Sequence, residues 1–283
     1  MIEIPIIGAI ALAGGTIFER IVLRKRKIDI KFYQVASFLA ITLAMLPLLY
    51  FFWRIDAGAL ESKNILIFGL VVLFSIVANL FTFYSMKWEK VSNLEPAKIL
   101  EPLFVIILAI VFSFFAGGLY ERNLNIVIPA LLAAVALIFS HIRKHHLEFN
   151  KYFLAAIAGS FFFGLELVTS RLILDFYSPI SFYFLRCLSI FLISLIAFQP
   201  KFKYLDNKVK KEIFITGILW VVYRIMIYYG YLKIGVIFTT LIIMLGPIFI
   251  YLFAWKFLKE KLDWRNIVAA IIIIGSVLYA VLI

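Results

Sequence analysis

The side chains able to do chemistry in this sequence are few, and they stand inside long apolar runs. Glu95, Lys98 and Glu101 follow one another at intervals of three, which on a helix lines them along one side. Pro96 and Pro102 lie among them and loosen the backbone hydrogen bonding of any helix there. Glu166 stands in Gly-Leu-Glu, with Thr169 and Ser170 a turn further on, and Arg224 has Tyr223, Tyr228 and Tyr231 around it. An ionisable group in that much hydrocarbon is costly, so each one calls for a partner, a proton or a ligand. Three carboxylates beside Lys98 and Arg224 suit a zwitterion or an amine, and Glu101 and Glu166 are the candidates for carrying a proton. The plainer alternatives are a Glu166–Arg224 pair that only fixes helix packing, and Glu95 and Lys98 paired at an interface with their stems snorkelling. Arg186 and the Glu19-Arg20 pair read as groups anchoring helix ends at an interface.

The elements that must position these groups follow from composition. Of 283 residues, 65% are hydrophobic and 16% charged, with a mean hydropathy of +1.06. A soluble domain is nearer half apolar and a quarter charged, so the solvent around this chain must be lipid. The formal charge of +12 comes from basic residues between the apolar runs, where they set orientation and meet anionic headgroups rather than nucleic acid. Cys187 is the sole cysteine, which excludes an intramolecular disulfide and a thiolate metal site. His141, His145 and His146 flank a basic loop without ligand spacing, so neither metal nor cofactor is expected. The first apolar run begins without a charged leader segment, and no cleavable signal is expected.

Ten runs are long enough to span: 4–23, 32–53, 64–86, 92–115, 124–142, 152–174, 179–199, 212–232, 236–255 and 265–283. Backbone groups in hydrocarbon must be satisfied within the segment, so the expectation is an all-α membrane protein of about ten helices. Small residues at helical spacing, Ala155 with Gly159 and Ala130 with Ala134, would let neighbours approach closely. Connections after odd-numbered runs carry 19 Lys and Arg against 5 after even-numbered runs. The positive-inside rule then puts the odd connections in the cytoplasm and both termini outside.

The chain also folds onto itself. Tyr84, Val91 and Pro102 match Tyr229, Val236 and Pro247 at a constant offset of 145. Phe32-Tyr33 matches Phe182-Tyr183, and Glu121-Arg122 matches Glu260-Lys261, at slightly different offsets. Asn79 is the equivalent of Arg224 under the same offset of 145, so both halves place a polar residue there. Halves of five spans, residues 1–146 and 147–283, make the second one inverted, and the exchange of basic and sparse connections between them agrees with inverted repeats.

Ser178-Pro179 before Phe182-Tyr183-Phe184-Leu185-Arg186 resembles the entry to the second helix of a repeat in the drug/metabolite transporter superfamily, in its EamA-type members. Lys233-Ile234-Gly235, Thr239-Thr240, Pro247, Lys259-Glu260-Lys261 and Gly275 resemble that family's fourth and fifth helices. Val91, Pro102, Glu121 and Asn125 carry the likeness more weakly in the first half, where Pro102 to Glu121 spans 19 residues against 13 from Pro247 to Glu260. The resemblance implies two five-helix repeats in a cell-membrane transporter, with both termini in the cytoplasm, opposite to the charge count.

The function expected is secondary transport of a small organic solute by alternating access, with Glu101, Glu166, Arg224, Lys98, Glu95, Asn79 and Tyr228 at the site. The partners are that small molecule and the bilayer, with the chain acting as a monomer or a homodimer. No Gly-rich phosphate loop suggests a nucleotide-driven pump. An intramembrane enzyme on lipid or prenyl carriers would want a His–Asp, metal or nucleophile cluster that the runs lack. A non-transporting scaffold would pair its midplane charges and leave no cavity.

Overall fold

The computed structural model describes residues 3–25, 28–88, 94, 97–141, 150–200, 206–249 and 264–282. Ten helices run through them: α1 (Glu3–Arg20, extended by a π turn Ile21–Lys25), α2 (Ile30–Phe52), α3 (Ser62–Trp88), α4 (Leu100–Phe115), α5 (Leu124–His141), α6 (Lys151–Arg171), α7 (Pro179–Phe198), α8 (Asn207–Lys233), α9 (Val236–Ile243) and α10 (Trp264–Leu282). Seven are long and apolar enough to cross a bilayer, and α4, α5 and α9 are shorter apolar helices. Among the described residues there is no strand. The fold is an all-α membrane fold, and its outward side chains are correspondingly apolar: Phe115 is 86% exposed and Ile196 73%.

Helix starts are set by local chemistry. Asp29 accepts from the amides of Lys31 and Phe32, and Asn150 from those of Tyr152 and Phe153. Ser178 accepts from the Ser181 amide, with Pro179 at the first helical position, where its missing N–H costs nothing. α9 begins differently. Its cap is Gly235, with φ +91° and no side chain, and Glu121 from the α4–α5 connection accepts the Phe238 amide at 3.1 Å. A Cβ on Gly235 would lie 2.0 Å from that carboxylate oxygen, so glycine meets both the backbone conformation and the space.

Helix pairing repeats across the two halves. α1 packs along α8 and α3 along α6, while α2 packs on α7, α5 on α10, and α4 on α9. Replacing each helix by the one five positions away turns the first pair into the second and returns the other three to themselves, as a two-fold relation between halves would.

The interruptions obey the same register. Regular α4 starts after a turn at Ile99, and α9 stops at a turn at Met244 before helix resumes to residue 249. Ile99 and Met244 differ by the offset of 145 that aligns Pro102 with Pro247. Each proline lacks the N–H that would bond the carbonyl four residues earlier, and its ring crowds that carbonyl, which accounts for a break just ahead of it. The expected run 92–115 is therefore helical without interruption only from Leu100.

Candidate functional site

Glu166 on α6 is fully buried and is the hub of the charged interior. Its Oε1 accepts from Arg186 of α7, from the Tyr228 hydroxyl of α8 at 2.8 Å and from Ser170 Oγ at 3.2 Å. Its Oε2 lies 3.1 Å from Arg224 Nη1, but that contact lacks hydrogen-bond alignment and leaves both atoms without a directional partner. Arg186 also donates to Tyr228 Oη at 2.5 Å and stacks over the Tyr183 ring, 4.8 Å from its centre. Arg224 lies 5.3 Å from the centre of the Phe163 ring. Two guanidiniums share one carboxylate, so the cluster keeps a surplus positive charge, with the Arg186 Nε and Arg224 Nη1 donors still unmet.

Arg186 and Arg224 form one wall of a cavity of about 200 Å³, and Glu166 lies behind them. Glu101, Lys98, Asn79 and Glu19 reach the same space, together with Ser37, Thr82, Ser160 and Thr240. The remaining wall is apolar and aromatic, with Phe38, Phe83, Phe163 and Trp220 prominent. On α1 to α4 no lining residue lies beyond the middle of its helix as measured from the connections that follow odd-numbered helices. We call that side the basic face, and the opposite side the sparse face.

The residues expected from sequence divide into two sets. Glu166, Arg224 and Tyr228 come together in the cluster, so the Glu–Arg pair exists and Arg186 joins it. Glu101, in the first turn of α4, lines the cavity and lies within electrostatic reach of Arg224, Glu166 and Lys98. Among the described residues no hydrogen bond or ion pair ties its carboxylate down. Lys98 lies on the cavity wall with its Nζ 3.0 Å from Met86 Sδ, and Asn79 donates to the Ser75 carbonyl at 2.7 Å. Glu95 lies outside the described residues.

Two residues have other places than the sequence suggested. Arg186 is not a helix-end anchor: it is 2% exposed and bonds Glu166. It lies about two turns inside α7, too far from the helix start for an interfacial arginine, and that depth was the available signal. Glu19 is 4% exposed and faces the cavity rather than the interface. It lies within electrostatic reach of Lys98, 79 residues further along the chain, so nothing local in the sequence marks it.

Residues 150–282 match the sequence model of the EamA-like transporter family. The match, confined to the second half of the chain, supports membership of the drug/metabolite transporter superfamily, whose EamA-like members are generally transporters, and the apolar helices indicate a multi-pass integral membrane protein. No sequence among curated proteins matches it. A solved crystal structure superposes with a TM-score of 0.69 over 99% of this chain and 95% of its own, at 17% identity. That likeness is one of fold.

Proposed function

We propose that this chain is a secondary-active transporter of small organic solutes, an amino acid, an amine or a related metabolite, working by alternating access in the cell membrane. The observation that carries the reading is the cavity bounded by Glu101, Glu19 and Lys98 on one side and by Arg186 and Arg224 on the other. A scaffold would have its charges satisfied among themselves. Here Glu101 and Glu19 face open space instead. Two halves, 1–146 and 147–283, would then rock about the cavity as inverted repeats, and the pairing of α1 with α8 and of α3 with α6 supports that division.

The charge balance narrows the solute. Glu19, Glu101 and Glu166 offset Lys98, Arg186 and Arg224, so the site is formally neutral as it stands. A zwitterion adds no net charge on entering: its carboxylate can meet the Arg224 side of the cavity and its ammonium the Glu101 carboxylate. A monocation leaves one charge over in a low-dielectric space, where that is costly, unless a proton leaves as it enters. Glu101 is the group placed to carry that proton, because no described partner competes for it.

The test is charge movement in proteoliposomes given pooled amino acids, amines or sugar phosphates, with and without a pH gradient. One pool should evoke a current that Glu101→Gln loses while the variant stays folded and inserted. Unchanged uptake by Glu101→Gln would remove that carboxylate from the mechanism. Silence with every pool, in inserted protein, would count against the reading itself.

A further inference from the structure

We propose that the α2–α3 and α6–α7 connections form the gate that closes the transport path at the sparse face. The inference rests on the transport reading above and adds to it the place where the path is shut. Ile55 and Tyr177, one from each half of the chain, form an antiparallel bridge. The Asp56 amide donates to the Phe176 carbonyl at 2.8 Å, and the Ser178 amide to the Arg54 carbonyl at 3.0 Å. Side chains reinforce the joint: the Arg54 amide donates to Ser181 Oγ at 2.8 Å, and Ser178 Oγ to the Phe52 carbonyl at 2.6 Å. The Arg54 guanidinium bonds Asp56 and, at 3.2 Å, the Asp175 carbonyl, while the Asp175 carboxylate takes Arg171 at 2.7 Å.

The joint is the top of a continuous barrier. Beneath the bridge, the Tyr177 ring packs on Phe68 and Phe182, at centroid distances of 6.3 and 5.4 Å. Phe182 packs on Tyr228 at 5.2 Å, and Tyr228 belongs to the Glu166 cluster. From the cavity outward the order is therefore charged cluster, aromatic layer, backbone bridge. No residue lining the cavity comes from either connection. The α2–α3 connection also lies flush on its partner, since a Cβ on Gly58 would come within 2.5 Å of the Phe176 ring.

The joint is built to open. It is a single bridge rather than a ladder, and an isolated strand pair is marginal in water. Arg54 and Asp56 are 59% and 45% exposed, so water replaces their bonds at little net cost. A permanent weld between halves would bury an apolar seam at this point; this one carries water-accessible polar bonds over a thin aromatic layer.

The bonds flanking Ile55 and Tyr177 make them a non-hydrogen-bonded pair, whose Cα atoms lie about 4.5 Å apart, within the range a disulfide accepts. Ile55→Cys/Tyr177→Cys protein in proteoliposomes should lose solute exchange when oxidised and regain it on reduction. Exchange that persists with the bridge fully oxidised overturns the gate. Protein that moves no solute even when reduced fails the transport reading instead, and a second measurement still tests the gate. In Thr240→Cys/Cys187→Ser protein, a membrane-impermeant methanethiosulfonate reagent added at the sparse face should modify position 240 severalfold faster once Arg54→Ala and Ser181→Ala weaken the joint. The rate from the basic face should not change. Equal rates from the sparse face, with and without those changes, overturn the gate.

Discussion

The two sides of the membrane bundle treat their polar groups in opposite ways. Toward the sparse face the carboxylates are engaged: Glu166 accepts from Arg186, Tyr228 and Ser170 and lies against Arg224, Glu121 caps α9, and Asp56 pairs with Arg54, which also reaches the Asp175 carbonyl on the other connection. Toward the basic face, Glu101 and Glu19 end in the cavity with no described group bonded to them. Around Glu166 this gives rigidity, because a buried polar network favours one arrangement, whereas the exposed bonds of the bridge above it can exchange with water. The open side carries the capacity to exchange partners, which the already bonded Glu166 carboxylate lacks.

That contrast sorts substitutions by their cost, and the largest effect falls on the matched side. Glu166→Ala leaves two guanidiniums buried without their carboxylate, and removing one partner of such a set costs about 3–5 kcal/mol. Thermal unfolding of the detergent-solubilised variant should show a drop of many degrees, and a near-unchanged melting temperature would break the contrast. Gly235→Ala comes next. It forces a side chain into a positive-φ position already occupied by Glu121, at about 1–3 kcal/mol for the backbone strain alone. Glu121→Ala in the same chain should recover only the part due to crowding, leaving a residual loss in the same melt.

On the open side the order of effects reverses. Glu101→Gln and Glu19→Gln should leave the melting temperature within about 0.5 kcal/mol equivalent of the parent, since neither carboxylate gives up a described partner. Glu101→Gln should nevertheless abolish pH-driven uptake, and a variant that unfolds instead would place Glu101 with the matched groups. The smallest effect belongs to the exposed pair at the bridge. The Arg54 guanidinium holds the Asp56 carboxyl below the usual carboxylate range. A lowered folded-state value means the pair's contribution is present at neutral pH and fades only as pH falls through that lowered value. The ratio of the modification rates at position 240 from the sparse and basic faces, in which ionisation of the thiol cancels, should thus be flat near neutrality and rise only in acid. A rise centred near neutral pH would point to another group.

Some of this was legible in the residues themselves. The apolar runs dictated ten helices because backbone in lipid has no other way to satisfy its hydrogen bonds. Pro102 marked the loosened start of its helix, while the matching turn at Met244, ahead of Pro247, fell inside a run read as continuous, although a proline acts on the carbonyl four residues before it there too. Glu166 and Arg224 stood out because a charge in a spanning segment is costly whatever its neighbours. The EamA-type likeness rested on short motifs, and Ser178, Pro179 and Gly235 prove to be capping positions whose chemistry is local.

Other features were settled by packing alone. Composition could not tell that Arg186 turns inward to share Glu166 with Arg224, because its partner lies on another helix. Glu19, near a helix end and beside an arginine, has the local signature of an interfacial residue, and only the packing of the bundle makes it a wall of the cavity. The bridge between Ile55 and Tyr177 joins connections more than a hundred residues apart. Side-chain type and spacing along one helix determine what that helix is. Which charges meet, which stay open and where the path is shut depend on distances between helices, and those exist only once the bundle has closed.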